Sequence, residues 1–294
     1  QGRLIIQYEG DYNIIVRSHI DISDRLKVMN KFGIDMQVLT LTTPGVEREN
    51  IDVALGLARK TNDEFSDIVE KHHDRFSALA TLPLQAPELA IEELRRAVID
   101  LGLKGAIIFS NINGKPLDLK EFWVIYEEAA RLDVPIFIHP TSPINSRFME
   151  DYRIVPMFGF TVDTSLAVLR LILSGVLEKY PTLKVVAAHV GGVLPYLIGR
   201  IDKCFQMYPE SKQNISNPPS YYMKNIYVDS ICYDQKILEF VYKSLGSDKI
   251  MLGTDYPHQI TDIEKAVERV KNLNIPGEDE ENILSKNAIK LFKL

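Results

Sequence analysis

Residues 185–192 read Val-Val-Ala-Ala-His-Val-Gly-Gly, an apolar run that ends in a histidine and two glycines. A similar order occurs twice more, in residues 135–140 (Pro-Ile-Phe-Ile-His-Pro) and 250–257 (Ile-Met-Leu-Gly-Thr-Asp-Tyr-Pro). A run that is apolar at successive positions is typical of a strand covered on both faces, as in a parallel sheet. These three stretches therefore predict buried parallel strands, each with one histidine or aspartate near the point where the strand ends.

Apolar runs of this kind alternate with helical periodicity along the chain. Strand and helix in alternation predict a parallel sheet. A (β/α)8 barrel usually needs about 250 residues, compared with the 294 present. The predicted strands are residues 36–43, 76–84, 104–111, 135–142, 184–190, 226–231 and 250–257, and the predicted helices include residues 87–101, 119–132, 164–180 and 262–273. We therefore predict an α/β fold, a (β/α)8 TIM barrel, with residues 1–294 as a single domain.

Two β-branched runs, residues 4–9 and 13–18, flank Gly10-Asp11 near the start of the chain. Apolar runs on both sides of a tight Gly/Asp turn predict an N-terminal β-hairpin. Seven predicted strands follow it, which indicates a barrel that lacks one strand, or an open sheet. No Gly-x-Gly-x-x-Gly follows any predicted strand, so an open sheet that binds a dinucleotide has no support.

Composition and charge limit the kinds of partner that this chain is expected to bind. The chain is 46% hydrophobic and 25% charged, with a formal net charge of −6. Phosphate binding needs clustered lysine and arginine, and no such stripe occurs, so we expect no nucleic-acid partner. We find neither an apolar run of the roughly 18 residues that span a bilayer nor a signal peptide, and expect no membrane partner. The low cysteine count, Cys204 and Cys232, predicts a reduced, cytoplasmic protein.

Three polar side chains follow the strands quoted first, namely His139, His189 and Asp255. Barrel enzymes carry their catalytic groups at the carboxyl ends of the strands. Two imidazoles and one carboxylate suit a zinc-like cation and leave a coordination position open for water. One histidine near a strand end is usually a packed core residue, but three such positions on three strands favour a metal centre.

The other histidines are weaker candidates. His258 lies three residues after Asp255, so we expect it near the same rim, where it could contact a substrate. His72 and His73 lie in the polar end of a predicted helix, which favours solvent exposure. His19 follows the predicted hairpin, and both a structural and a functional role remain open.

Taken together, these motifs resemble the decarboxylase-type branch of the amidohydrolase superfamily, which includes the α-amino-β-carboxymuconate-ε-semialdehyde and γ-resorcylate decarboxylases. The resemblance covers nearly the whole chain. The motifs that carry it are residues 76–85 (Phe-Ser-Ala-Leu-Ala-Thr-Leu-Pro-Leu-Gln), 105–108, 138–140, 174–181, 188–192, 253–257 and Asn287-Ala288. It implies a TIM barrel of the metal-dependent hydrolase type, a homodimer, and a divalent metal, zinc first and manganese second.

The resemblance also implies roles for individual residues. His139 and Asp255 would ligate the metal, and His189 would join them as the catalytic histidine that orients or deprotonates a metal-bound water. Asp255 would share the catalytic role by accepting a hydrogen bond from that water. Arg17 would bind a substrate carboxylate, since its planar fork pairs with a carboxylate through two hydrogen bonds. Asn111, after the fourth strand, is a weaker substrate-binding candidate.

The sequence departs from the family pattern at the first strand. That strand of the family ends in His-x-His or Glu-x-His, which supplies two metal ligands, and no His-x-His occurs in this chain. The chain begins with what resembles the hairpin that follows this strand. We therefore expect the first barrel strand to be missing from this chain through truncation before Gln1, with metal binding depleted or lost.

Three functions remain open. The first is a metal-dependent lyase that decarboxylates a small unsaturated or aromatic carboxylate through a metal-activated water. The second is a metal-dependent hydrolase of an amide, lactone or ester, and the third is a non-catalytic barrel that binds a ligand. Residues 141–163, after the fifth strand, are expected to form part of the substrate pocket. Arg147 and Arg153 are candidates there for binding an anion or for a surface role, and residues 157–160 are candidates for a dimer interface.

Overall fold

The computed structural model describes residues 4–8 and 11–294. Its strands are β1 Leu4–Tyr8, β2 Asp11–Ile15, β3 Gln37–Leu39, β4 Phe76–Ala78, β5 Ala80–Thr81, β6 Ala106–Phe109, β7 Asn111–Ile112, β8 Lys115–Pro116, β9 Ile136–His139, β10 Val185–Ala187, β11 Ile226–Asp229 and β12 Ile250–Met251. Its helices are α1 Ile22–Phe32, α2 Ile51–Lys71, α3 Pro87–Arg95, α4 Trp123–Leu132, α5 Phe160–Leu173, α6 Val176–Lys179, α7 Ala188–Gly191, α8 Leu194–Met207, α9 Gln235–Leu245, α10 Ile263–Lys271, α11 Gly277–Glu281 and α12 Asn287–Phe292.

The central sheet is parallel and follows chain order. Six strands lie side by side in the order β12-β11-β10-β9-β6-β5, and β3 pairs with β4. The residue between β4 and β5, Leu79, donates its N–H to the carbonyl of Leu39 (3.0 Å). Residues 76–81 therefore form one extended segment that joins β3 on one side to the six-stranded sheet on the other. Each predicted strand thus contributes to the sheet. The α/β class is confirmed, and an eighth strand ahead of the chain stays a prediction.

The N-terminal segment differs from the sequence-based boundaries. β1 and β2 pair antiparallel, with Leu4 opposite Ile15. Glu9, the last residue of the first predicted strand, and Gly10 of the predicted turn lie outside the described residues. The second strand ends at Ile15 rather than near residue 18. His19 Nδ1 accepts the N–H of Val16 (3.1 Å), which turns the following residues into a short helical turn instead of a strand.

Two apolar clusters lie on opposite faces of the sheet. Val185 and Ala187 belong to the large cluster formed with the helices, whereas Val186 between them belongs to a smaller cluster. Alternate residues of a strand point to opposite faces, so the smaller cluster fills the inside of the sheet. Leu291 and Phe292 of α12 complete it. This double covering explains why the strand sequences are apolar at successive positions.

One helical stretch has the length and composition of a membrane span, contrary to our expectation. Asp151–Leu173 has 23 residues and a window with a mean hydropathy of 1.4, of which 44% is buried. Core helices meet the same criterion. Here the backbone is left-handed at Tyr152 and Arg153, and the side chains of Val168 and Leu171 are fully buried in the large apolar cluster. The high mean hydropathy of this stretch reflects the apolar face that α5 packs into the core.

Candidate metal centre and substrate cavity

Three side chains converge at the carboxyl ends of β9, β10 and β12. His139 is the last residue of β9, His189 follows β10 by two residues, and Asp255 follows β12 by four. One ligand atom from each lies within 4.8 Å of the other two. The two imidazole centroids are 5.4 Å apart, and His189 Nε2 lies 4.0 Å from Asp255 Oδ2. The structure therefore brings together the three predicted metal-site residues.

The protonation of these groups fits a divalent cation. His139 Nδ1 lies 2.9 Å from the carbonyl of Pro140, so Nδ1 carries the proton and Nε2 keeps a free lone pair. Burial lowers the pKa of His139 well below its usual value and also lowers the pKa of His189, which favours the neutral, ligating form. Burial raises the pKa of Asp255 to about 6, a cost that a nearby cation would offset.

A left-handed turn presents His189 to the cluster. The backbone φ is 57° at His189 and 53° at Val190, values that L-residues rarely adopt. Gly192 follows, also at positive φ, and a Cβ there would lie 2.2 Å from the carbonyl oxygen of Thr161 and 2.3 Å from Ser165 Oγ. Only glycine fits this close approach, which accounts for the second glycine of the pair that ends the quoted motif.

Asp229, at the end of β11, is a residue that the sequence analysis missed. Its Oδ2 accepts the N–H of His189 (2.9 Å), and its Oδ1 accepts the N–H groups of Val190 (3.1 Å) and Ile231 (2.9 Å). Burial raises its pKa to about 6. The available signal was an acidic residue at the end of an apolar run, but neither glycine nor proline follows Asp229 closely, as they follow the three residues predicted for the metal site.

A cavity of about 1000 Å³ opens beside the three side chains. Its polar lining includes Asp11, Arg153, His258 and Gln259. Most of the remaining wall is apolar and comes from the segments after β9, β10, β11 and β12, from α8 and from α9. That wall comprises Pro156, Met157, Phe160, Val190, Val193, Pro195, Tyr196, Ile231, Cys232, Tyr233, Ile237, Phe240, Val241 and Ile260. The arrangement suits a small, largely apolar ligand that carries a few polar groups.

His258 lies in the cavity wall, as expected from its spacing to Asp255. Its Nε2 is 3.0 Å from Thr42 Oγ1, and the ring of His19 packs edge-on against it with centroids 5.8 Å apart. Burial lowers the pKa of His258. His258 is thus a neutral imidazole held from two sides, and it can hydrogen-bond a ligand.

Arg17 and Asn111 do not reach the cavity. The Arg17 side chain is 72% exposed and pairs with Asp21 (2.7 Å), because the chain turns helical directly after β2. Asn111 is buried and donates through Nδ2 to the carbonyl of Ser142 and to Asp163 Oδ2, both at 2.9 Å. Its amide holds neighbouring loops together.

Of the two loop arginines, Arg153 lines the cavity and Arg147 does not. The Arg153 guanidinium donates through Nε to Asp11 Oδ1 (3.1 Å) and lies over the ring of Tyr12, with Cζ 4.2 Å from the ring centroid. It therefore joins the loop after β9 to the start of β2 at the cavity edge. The Arg147 guanidinium lies over the ring of Phe148 instead, 5.7 Å from its centroid.

Comparisons with known proteins agree with this geometry. The family model described as amidohydrolase matches residues 16–294. The 2-amino-3-carboxymuconate-6-semialdehyde decarboxylase of Dictyostelium discoideum is 36% identical over 277 residues, which cover 92% of this chain and 76% of that protein. The chain therefore belongs to the amidohydrolase family, in the branch of that superfamily whose relatives are decarboxylases.

Two solved structures extend the comparison. The 5-carboxyvanillate decarboxylase of Sphingomonas paucimobilis superposes with a TM-score of 0.88 and 28% identity, over 93% of this chain and 83% of that one. A dihydroxybenzoic acid decarboxylase of Polaromonas sp. JS666, with bound manganese and the inhibitor 2-nitroresorcinol, gives a TM-score of 0.85 and 31% identity, over 92% and 85% of the two chains.

Proposed function

We propose that this protein is a metal-dependent carboxy-lyase that removes CO2 from a small aromatic carboxylate. The observation that carries the proposal is the cluster of His139, His189 and Asp255 at the base of a mostly apolar cavity. The names of its relatives favour this lyase over the hydrolase of an amide, lactone or ester that the residues alone left open. They also disfavour a non-catalytic barrel.

His139 and Asp255 would hold the cation, with His189 beside them. Manganese is the first cation to test, because a relative was solved with it, and zinc is the second, because two imidazoles and a carboxylate also suit zinc. A bound divalent cation would polarise the substrate's oxygen atoms and offset their negative charge. His139 suits such an ion because its Nδ1 contacts the carbonyl of Pro140, which leaves Nε2 available as a ligand atom.

The reaction needs one proton at the carbon that loses CO2. When the bond to the carboxyl carbon breaks, its electron pair stays on the ring carbon and a proton replaces the carboxyl group. His189 Nε2, 4.0 Å from Asp255 Oδ2, is placed to hold or move this proton at the cavity floor. His258 would hydrogen-bond a substrate oxygen, and the apolar wall would bind the ring and exclude water. Arg17 keeps a proposed role in carboxylate binding only if its turn moves towards the cavity.

The experiment is a decarboxylation assay of the natural full-length protein loaded with manganese. The substrates are 2,6-dihydroxybenzoate and 5-carboxyvanillate, and the assay measures CO2 release. The inhibitor 2-nitroresorcinol carries a nitro group in place of the carboxylate of 2,6-dihydroxybenzoate. We expect turnover of at least one of the two substrates, reduced by about 10²-fold or more in His189→Asn. It should be unchanged in His72→Asn, because His72 is a half-buried residue at the end of α2 that does not line the cavity. Turnover unaffected by His189→Asn would contradict the assigned role.

We also propose a homodimer in a reducing, cytoplasmic location. The side chains of Met157, Phe158 and Tyr196 are 66%, 55% and 77% exposed, and an apolar surface of this kind favours self-association. Cys204 and Cys232 are both free thiols, which supports the location. Sedimentation of Phe158→Glu beside the wild type tests the dimer. We expect the variant dimer to be weaker, so that it dissociates into monomers at a higher protein concentration than the wild type. An unchanged dimer would show that these side chains lie outside the interface.

A further inference from the structure

We propose that Asp229 is a positioning residue that orients the imidazole of His189 through the backbone rather than through the ring. The inference rests on the proposed role of His189. Its basis is a buried carboxylate that accepts three backbone N–H groups, two of them from the consecutive residues His189 and Val190.

These hydrogen bonds hold an unfavourable backbone. His189 and Val190 both have positive φ, and a branched residue such as Val190 is strained in this region. A carboxylate that accepts several N–H groups makes strong, charge-assisted hydrogen bonds. The carboxylate of Asp229 can therefore stabilise a turn that the local sequence alone disfavours.

Asp229 is itself fixed from the other side. A Cβ on Gly253, two residues before Asp255, would lie 2.8 Å from Asp229 Cβ, so the backbone after β12 packs directly on this aspartate. Gly253 also donates its N–H to Ser230 Oγ (3.1 Å). The segments that bear His189 and Asp255 thus meet at Asp229, which sets their separation.

The ring of His189 lacks the usual support. Catalytic and ligating histidines are commonly oriented by a carboxylate or carbonyl that accepts the N–H of the second ring nitrogen. Within residues 4–8 and 11–294, His189 Nδ1 is buried and has no hydrogen-bond partner. The direction of the imidazole therefore depends on the backbone, and the carboxylate of Asp229 holds that backbone.

The first test is a crystal structure of Asp229→Asn. The asparagine can keep its oxygen on Val190 and Ile231, but its NH2 group then faces the N–H of His189. We expect the His189 imidazole to move by about 1 Å relative to Asp255, a misplacement that can cost about 10²-fold in rate. An unmoved imidazole would overturn the proposal, whatever the substrate proves to be.

Kinetics separate positioning from general stability. In the manganese-loaded full-length protein we expect Asp229→Asn to lower kcat by about 10- to 100-fold with KM and metal content nearly unchanged. In the His189→Ala background, Asp229→Asn should have almost no further effect on kcat, because the imidazole through which Asp229 acts is already absent. An equal loss in both backgrounds would show a structural role alone. Full activity of His189→Ala would instead refute the proposed role of His189, whereas no activity in the wild type would refute the proposed function. In both cases the crystallographic result still decides whether Asp229 positions the imidazole.

Two further variants guard against misfolding. Val190→Gly removes the cost of the left-handed conformation, so combining it with Asp229→Asn should restore part of the lost kcat, and no rescue would count against the proposal. Asn225→Asp is the matched control. Asn225 precedes the same strand, is buried, and donates to the carbonyls of Pro181 and Leu183. We expect it to lower stability without moving His189.

Discussion

Gly192 shows how one residue can fix the position of a functional group. Its positive φ and the nearby Thr161 carbonyl leave no room for a side chain, and the turn that carries His189 depends on that close approach. The Gly-Gly pair is recognisable from the sequence as the end of a strand motif, but the contact is not, because Thr161 lies 31 residues earlier on α5.

Gly192→Ala should lower the free energy of unfolding by about 2 kcal/mol or more through overpacking and strain. Thermal denaturation is the measurement. Gly56→Ala, in α2 with nothing within 4 Å of the added Cβ, is the control, and we expect it to be neutral or to raise stability by about 0.5–1 kcal/mol. Equal behaviour of the two variants would refute the close-packing account.

Glu47 makes stability depend on pH. Burial raises the pKa of this carboxyl from 4.5 to about 7, so the unfolded chain releases the proton at lower pH than the folded chain. Between these values the folded state binds more protons, and its stability falls as pH rises. Glu47→Gln cannot ionise and should therefore gain about 3 kcal/mol relative to the wild type from acid to pH about 8.

Urea denaturation at about pH 4.5 and about pH 8 measures this difference. Glu49→Gln, two residues away and exposed, is the control and should follow the wild type at both values. If the Glu47→Gln difference is the same at both pH values, the carboxyl is not held neutral by burial.

At the scale of elements, α12 packs against the inner face of the sheet near the amino ends of the strands. Asn287 Nδ2 donates to the carbonyl of Ile250 (2.7 Å), where β12 begins, and Leu291 is 3% exposed. This end of a barrel serves stability, whereas the opposite end carries the chemistry. Changes in α12 should therefore alter stability without altering catalysis.

Leu291→Ala should cost about 2–5 kcal/mol of unfolding free energy by leaving a cavity, with kcat unchanged under conditions where the protein stays folded. Denaturation and steady-state kinetics measure the two effects. The exposed neighbour Lys290 gives the control, Lys290→Ala. A loss of kcat that matches the loss of stability would contradict the division between the two ends.

Element boundaries were less predictable than element order. Residues 164–180 were predicted as one helix, but Gly175, with φ of 89°, separates α5 from α6. Residues 13–18 were predicted as strand, but the strand ends early, where the backbone N–H of Val16 donates to His19 Nδ1. Periodicity reports burial along a segment, whereas such ends depend on single hydrogen bonds and on φ values that periodicity does not encode.

At the scale of the whole molecule, the order of seven parallel strands was predictable because apolar runs and helical periodicity alternate so regularly. His139, His189 and Asp255 were predictable because carboxyl ends of neighbouring parallel strands meet on one face. The role of Asp229 was not predictable, since two of its three partners are backbone N–H groups about 40 residues earlier. The sequence-based placement of Arg17 and Asn111 also lacked the loop contacts that keep them from the cavity.

The most direct measurement is the metal content of the natural full-length protein after loading with manganese, compared with His139→Ala and Asp255→Ala. We predict about one tightly bound ion per chain in the wild type, lost in both variants and kept in His72→Asn, since a site of this kind depends on each of its few ligands. No stoichiometric metal in the wild type, or full retention in both variants, would contradict the assignment of this cluster as the metal centre.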